Sequence, residues 1–423
     1  MSNVFGNHIR FSIFGESHGP AVGFCLDGLP PGFLIDMAEA ARETARRAPG
    51  RNELSTPRAE RDEWEILSGL FEGRTTGTPL AAIIRNNDTR SGDYSPNLPR
   101  PGHADWTALL KYRGFSDHRG GGHFSGRLTA PVVFAGAIAK QILARERIGI
   151  GARICQIHTI KDAPADASDV PAISKKPFPT ADDGAAERMK AAILTAKADG
   201  DSVGGVIECV AVNLPGGWGD PFFDSVESRL SAFLFSIPAV KAVEFGAGFG
   251  FASMRGSEAN DQFRPPVVAP PTPDQPGASL PIPDQPGASP PIPDQPAAVS
   301  PTPDPPAAAA AQPVLHTATN HNGGVNGGIT NGLPLVFRVA VKPTASIGKA
   351  QQTVDLRTGE GVTTRFGGRH DPCIVPRAVP VVEAAAALCL LDFMCGQAYQ
   401  TNAEPSILAN AEPSILAKKR GPQ

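Results

Sequence analysis

The sequence is poor in aromatic residues, which fill 6% of its 423 positions and include three tryptophans and three tyrosines. It has no strong excess of either charge. Lys and Arg total 39 against 42 Asp and Glu, a formal net charge of −3. That balance excludes the strongly basic character of a general nucleic-acid binder and leaves room for a local basic pocket. The six cysteines (Cys25, Cys155, Cys209, Cys373, Cys389 and Cys395) form no Cys-x-x-Cys pair, and no Cys/His group has zinc-site spacing. Several lie in apolar runs and read as small buried hydrophobes of a reducing compartment. No uninterrupted apolar run reaches membrane-spanning length, and residues 1–10 lack the apolar core of a signal peptide. The expectation is a cytoplasmic protein with no membrane, nucleic-acid or metal partner.

What is present is 45 glycines, 43 prolines and a 41% hydrophobic fraction, enough for one large core or two smaller ones. Residues 10–14 alternate as a strand that Gly15 breaks, and a second strand follows before residue 30. Residues 36–47 predict a helix capped by Asp36 and stopped by Pro49-Gly50. Short strands are expected at 66–70 and 79–84. Helical patterns cover 129–145, where small residues would let backbones approach, then 185–198, 222–237 and an almost wholly apolar, buried stretch at 378–395. Residues 206–212 and 335–341 read as further strands. Strands mixed with helices indicate an α+β or α/β chain.

Two segments break this pattern. Residues 265–313 hold 18 of the 43 prolines, with Pro-Asp-Gln-Pro recurring at 273, 283 and 293. A ten-residue period of Pro, Asp, Ala and Ser has no apolar face to stack, so a disordered, extended insertion is expected. Near the C-terminus the octapeptide 402–409 is copied at 410–417, which suggests a flexible tail over 399–423.

Three polar islands carry candidate chemistry: Gly15-Glu16-Ser17-His18-Gly19, Arg100-Pro101-Gly102-His103-Ala104-Asp105, and Gly368-Arg369-His370-Asp371-Pro372-Cys373. Each sets a histidine beside glycine or proline and close to a charge, as catalytic loops do. Histidine is the side chain that most readily donates and accepts a proton near neutral pH. Glycine runs at 120–122 and 323–328 allow close backbone approach to a ligand, although neither matches a nucleotide fingerprint. Arginines gather around them: Arg46, Arg47 and Arg51, then Arg100, Arg113, Arg119 and Arg127, then Arg365 and Arg369. Guanidinium groups suit a substrate with several phosphate or carboxylate charges. Read singly, each histidine also fits a structural role, and a zinc hydrolase stays open at this point without paired ligand spacing to support it.

Taken in order, these motifs resemble the chorismate synthase family from Gly6 to Leu391. The resemblance also rests on Asp27-Gly28-Leu29-Pro30-Pro31-Gly32, Arg46-Arg47-Ala48-Pro49-Gly50, Asp88-Thr89-Arg90-Ser91-Gly92-Asp93-Tyr94, Arg119 through Arg127, and Lys342-Pro343-Thr344-Ala345-Ser346. It implies a β-α-β sandwich with helices between two antiparallel sheets, assembled as a homotetramer. It implies one catalytic domain over 1–264 and 314–398, interrupted by the 265–313 insertion. The implied activity is the anti-1,4-elimination of phosphate from 5-enolpyruvylshikimate 3-phosphate to give chorismate, with reduced FMN. NADPH or an external flavin reductase would supply the electrons. By the same resemblance His18, His103 and Asp371 are catalytic. FMN contacts fall on His123, Phe124, Ser125, Pro238, Ala239, Gly327, Lys342, Pro343, Thr344, Ala345, Ser346 and Arg369. Arg46, Arg47 and Arg127 are the expected substrate ligands. Glu53 stands where relatives often carry arginine, and His123-Phe124 where some carry Arg-Ser.

Overall fold

The computed structural model describes residues 3–50, 53–55, 62–87, 94–265, 316–367 and 371–401. The chain forms two units, one of residues 1–261 with 320–423 and a small one of 262–319. In the small unit Phe263–Arg264 pairs antiparallel with His316–Thr317. Apart from Pro265, the expected proline-rich insertion lies outside the described residues.

The large unit holds two five-stranded antiparallel sheets. In the first, the strands run in spatial order Val4–Phe5, Arg10–Gly15, Ala21–Asp27, Leu80–Arg85 and Trp64–Ser68. In the second the order is Val240–Phe245, Leu335–Val341, Gly205–Val212, Gly149–Ile157 and Ile160–Lys161. Leu335–Val341 shows why these segments are strands. Leu335, Phe337, Val339 and Val341 are buried, while Val336, Arg338 and Ala340 point the other way, the period of two that a half-buried strand requires. On that outer face Arg338 sits opposite both Glu208 and Glu244. Arg153 bonds Glu208 at 2.7 Å and Arg338 bonds Glu244 at 2.9 Å, so charges alternate across four strands.

Helices fill the space between the sheets, as the resemblance implies. The central helix (Thr129–Arg145) meets the first sheet through Phe134, whose ring lies 5.8 Å from Phe24 and 4.3 Å from Trp64. The long helix (Val375–Thr401) packs on the central helix and on the second sheet. By length and composition alone its 375–397 stretch would cross a membrane, but 83% of its most apolar window is buried inside the fold, as befits a core helix. Helix Val226–Ser236 packs on the long helix and meets the first sheet through Phe233, 4.5 Å from the Phe5 ring. Small residues do bring the backbones together. A Cβ on Gly136 of the central helix would lie 2.3 Å from Ala384 Cβ and 2.5 Å from Ala384 Cα on the long helix. Gly136→Val should therefore destabilise the protein by at least about 1–3 kcal/mol, read as a lower urea midpoint. An unchanged midpoint would mean the helix pair can separate without loss.

Most expected elements appear with modest shifts, and one start is wrong. The helix expected from 222 begins at Val226, because Ser225 caps it by accepting a 3.1 Å hydrogen bond from Ser228 N. Phe222 and Phe223 precede it and are each 90% exposed. The last helix starts three residues before 378 and runs to Thr401, into the segment expected as tail. All six cysteines are free thiols. Burial pushes Cys155, Cys373 and Cys395 up to about 12, which keeps them protonated and unreactive near neutral pH.

Candidate active site

The site is organised by one short segment, the kinked stretch Arg119–Phe124 followed by a turn of 3-10 helix at Gly126–Leu128 that leads into the central helix. Gly120, Gly121 and Gly122 have φ of +62°, +82° and +53°, a left-handed path that side chains disfavour. Space demands glycine as well. A Cβ on Gly120 would meet His18 Cδ2 at 2.3 Å and His18 Nε2 at 2.5 Å, and one on Gly121 would meet His103 Cε1 at 3.2 Å. The two histidines of separate islands thus rest against consecutive glycines. The same segment fixes the first island further. His123 Nδ1 lies 2.9 Å from the Gly15 carbonyl, which makes that nitrogen the donor. Ser17 N donates to the Gly122 carbonyl at 3.1 Å, and Ser125 Oγ donates to Ser17 Oγ at 3.2 Å. Tyr94 stands edge-on to the His18 ring at 5.4 Å, and the Arg100 guanidinium lies 5.2 Å from the Tyr94 ring centre.

The second island folds on itself. Arg100 grips Asp105 through Nε at 2.8 Å, Nη2 at 2.7 Å and its backbone N at 3.0 Å. His103 Nδ1 is 2.8 Å from Asp105 Oδ1. Burial works to raise the Asp105 carboxyl, but the hydrogen bonds from Arg100 and His103 outweigh it and hold the group well below its ordinary value. Arg100 Nη1 also donates to Ser346 Oγ at 3.3 Å, and Lys342 Nζ bonds the Gly102 carbonyl. The 342–346 loop is thereby tied to the histidine.

A cavity of about 190 Å³ opens beside the segment, walled by Arg47, Arg127, Arg377, Asp371, Ser125 and Pro238 among others. Asp62, with a side chain 2% exposed, bridges the first two arginines: Arg47 Nη1 at 3.0 Å, and Arg127 Nη1. Arg47 also donates to Thr129 Oγ1 and to the Gly126 carbonyl, both at 3.0 Å. Burial draws the Arg47 guanidinium down to about 10, with Arg377 and Arg127 adding to the shift and Asp62 opposing it. The Asp62 carboxyl, pushed up by burial, is brought below its ordinary value by Arg47 and Arg127. Asp371 is hydrogen-bonded by Arg377 Nη1, and Arg377 Nε reaches the Arg47 carbonyl at 2.9 Å. A wall with three guanidinium groups suits a small, multiply charged anion.

The expected residues do not all meet. Arg46 is one position from Arg47, yet faces a different side of the helix and bonds Glu383, Glu43 and the Ser174 carbonyl in the helix layer. Arg369 lies outside the described residues, as does His370. The 342–346 loop suits a polar cofactor: Thr344 Oγ1 is buried and has no hydrogen-bond partner among the described residues, an open position for a ligand group. Lys342 N donates to the Ala239 carbonyl at 2.9 Å, which places Pro238 and Ala239 beside that loop. Phe124 stacks edge-on to Tyr112 at 6.1 Å. Gly327 tips a hairpin (Val325–Asn326 with Ile329–Thr330), and among the described residues nothing lies within 4 Å of where its Cβ would stand. Asp62, Tyr94, Asp105 and Arg377 were not assigned a role from sequence. Asp105 carried a signal in its place two residues after His103, and Tyr94 in closing one of the motifs that carry the resemblance. Among the described residues no group of three His, Cys, Asp or Glu side chains is set to hold a metal ion.

A chorismate synthase family profile matches residues 9–395. The chorismate synthase of Methanosarcina acetivorans is 42% identical over 395 residues, 93% of this chain and 96% of its own. That of Thermococcus kodakarensis is 44% identical over 391 residues, 92% and 96% respectively. A crystal structure of a chorismate synthase superposes with a TM-score of 0.63 at 26% identity, covering 93% of both chains.

Proposed function

The chain belongs to the chorismate synthase family of lyases, and on that premise we propose that it eliminates phosphate from 5-enolpyruvylshikimate 3-phosphate to give chorismate, feeding aromatic amino acid biosynthesis. The C–O bond to phosphate breaks with its electron pair leaving on oxygen. A ring C–H on the opposite face gives up its proton, and the new double bond closes the balance without net redox change. Reduced FMN, when bound, supplies transient electron density that eases departure of the phosphate.

The chain's own residues divide the remaining work. Arg47 and Arg127 bind the anionic substrate in the cavity, with Arg377 at its wall. His18 donates a proton from Nε2 to the departing phosphate. His103 and Asp371 hold and pass protons on the cofactor side. Ser125, Pro238, Ala239 and the 342–346 loop seat the flavin, with Thr344 Oγ1 as an open hydrogen-bonding position. Buried Ser17, Arg47 and Arg127 line a region poor in water, where charge interactions are strong. The observation that carries this reading is the 120–127 segment, which touches His18, His103, Ser17 and the arginine cavity at once. The proposal includes a cytoplasmic homotetramer with one catalytic domain over 1–264 and 314–398, and an external flavin reductase or NADPH as the electron source.

The test is an anaerobic assay with reduced FMN and the phosphorylated substrate. One phosphate should be released for each chorismate formed. Folded, flavin-loaded protein that releases none overturns the reading.

A further inference from the structure

His103 has two neighbours at Nδ1, and they make opposite demands. Asp105 Oδ1 lies 2.8 Å away and Arg100 Nη2 lies 3.1 Å away. A guanidinium has no lone pair to offer and needs an acceptor. A carboxylate has no proton to offer and needs a donor. Arg100 Nη2 already has an acceptor in Asp105 Oδ1, at 2.7 Å. Without a proton on Nδ1, its lone pair would face the carboxylate oxygen at 2.8 Å, a repulsive contact. The arrangement is satisfied in one way only: Nδ1 carries the hydrogen and Asp105 accepts it.

We propose that Asp105 is a positioning residue of the reaction, holding His103 in its Nδ1–H form so that every proton the ring takes or gives passes through Nε2. This rests on the reading of His103 as a proton holder at the site. The Cε1–Nε2 edge is the one that lies against Gly121, with Nε2 3.6 Å from where a Cβ would stand. Glycine there leaves that edge uncovered. Asp105 is itself braced. Its Oδ2 accepts from Arg100 N and Nε, and Arg100 is anchored to Ser346 Oγ. The ring is therefore set relative to the 342–346 loop and not merely to its own turn. Asp105 takes no proton in the cycle. The groups facing the ring are Asp105 and Arg100, with Lys342 held on the neighbouring Gly102 carbonyl.

Asp105→Asn makes a sharp test because it keeps the shape. The two Arg100 donors at Oδ2 will claim the amide oxygen, which turns the amide NH2 toward His103 Nδ1 and leaves Arg100 Nη2, whose acceptor was Oδ1 at 2.7 Å, to donate to Nδ1 at 3.1 Å instead. That nitrogen must then accept, and the ring must switch to the Nε2–H form. The readout is the long-range proton–nitrogen spectrum of protein carrying 15N-histidine, with the His103 signals identified by their loss in His103→Gln. The wild-type neutral ring should show the Nδ1–H pattern, and Asp105→Asn the Nε2–H pattern. Turnover should fall about 100-fold, with KM little changed, and Asp105→Glu should recover part of both. A wild-type Nε2–H pattern, or an unchanged pattern in Asp105→Asn, overturns the role of Asp105 while leaving that of His103 standing. A switched pattern with full turnover removes His103 from the reaction and the proposal with it.

Discussion

Glu383→Ala should lower the stability of the fold by about 3–5 kcal/mol. Glu383 is wholly buried on the long helix and is where four elements meet. It accepts from Arg46 at 2.7 and 2.8 Å, from Ala152 N of the second sheet at 3.0 Å, and from Lys140 of the central helix. Alanine would leave two cations sharing Glu43 alone, which bonds Arg46 at 2.8 Å and Lys140 at 2.9 Å. Burial of that kind penalises an uncompensated charge far more than the intact pair gains. The same geometry sets a pH dependence. Burial works to raise the Glu383 carboxyl, but Lys140 and Arg46 overcome it and hold the group below its ordinary 4.5. A depressed carboxyl contributes stability that is fully present above its unfolded value. That contribution is lost as pH falls through the folded one. Urea unfolding should show wild-type stability declining below about pH 4.5, with a shallower decline in Glu383→Gln. Parallel curves for the two proteins would show that Glu383 does not carry the acid sensitivity.

Arg46 also shows where sequence reading stops. Arg46 and Arg47 are adjacent in a motif that reads as one anion-binding unit. On a helix adjacent residues point about 100° apart, so Arg47 reaches the cavity and Arg46 enters the helix layer. Glu43, three residues before Arg46, is its one local partner, but the buried partner that draws it into the helix layer, Glu383, is 337 residues away. Other features were local and therefore legible. Asp36 accepts from Glu39 N at 2.9 Å, the cap its type suggests, and the central helix spans the 129–145 that its pattern predicts. The strand Gly149–Ile157 was missed for a physical reason. A Cβ on its Gly151 would lie 2.5 Å from Pro171 Cα, so close packing put glycine where a β-branched residue would have marked the strand. The first two histidine islands were legible as loops, and the resemblance implied that they work together. Their meeting on consecutive glycines was not legible, since it depends on three left-handed residues in succession.

His18→Ala should reduce turnover by about 10²–10⁴-fold while changing stability by less than about 1 kcal/mol. The ring is half-buried, rests on Gly120 and meets Tyr94 edge-on, so its loss removes few apolar contacts from the core. If it donates the proton to the leaving phosphate, the chemical step loses its acid while the arginine cavity keeps binding. KM should then stay near the wild-type value as kcat falls. Gly120→Ala probes the same atom from the other side without removing any proton donor. The added methyl would lie 2.5 Å from His18 Nε2, so either the ring or the turn must move. A left-handed backbone at φ +62° would add a strain of about 1–2 kcal/mol. Turnover should fall in this variant too, with flavin binding retained, because orientation of Nε2 is what both changes disturb. Full turnover in Gly120→Ala alongside loss in His18→Ala would mean that the imidazole acts wherever it swings. That outcome would deny the glycine segment its organising role, even with the histidine confirmed as the acid.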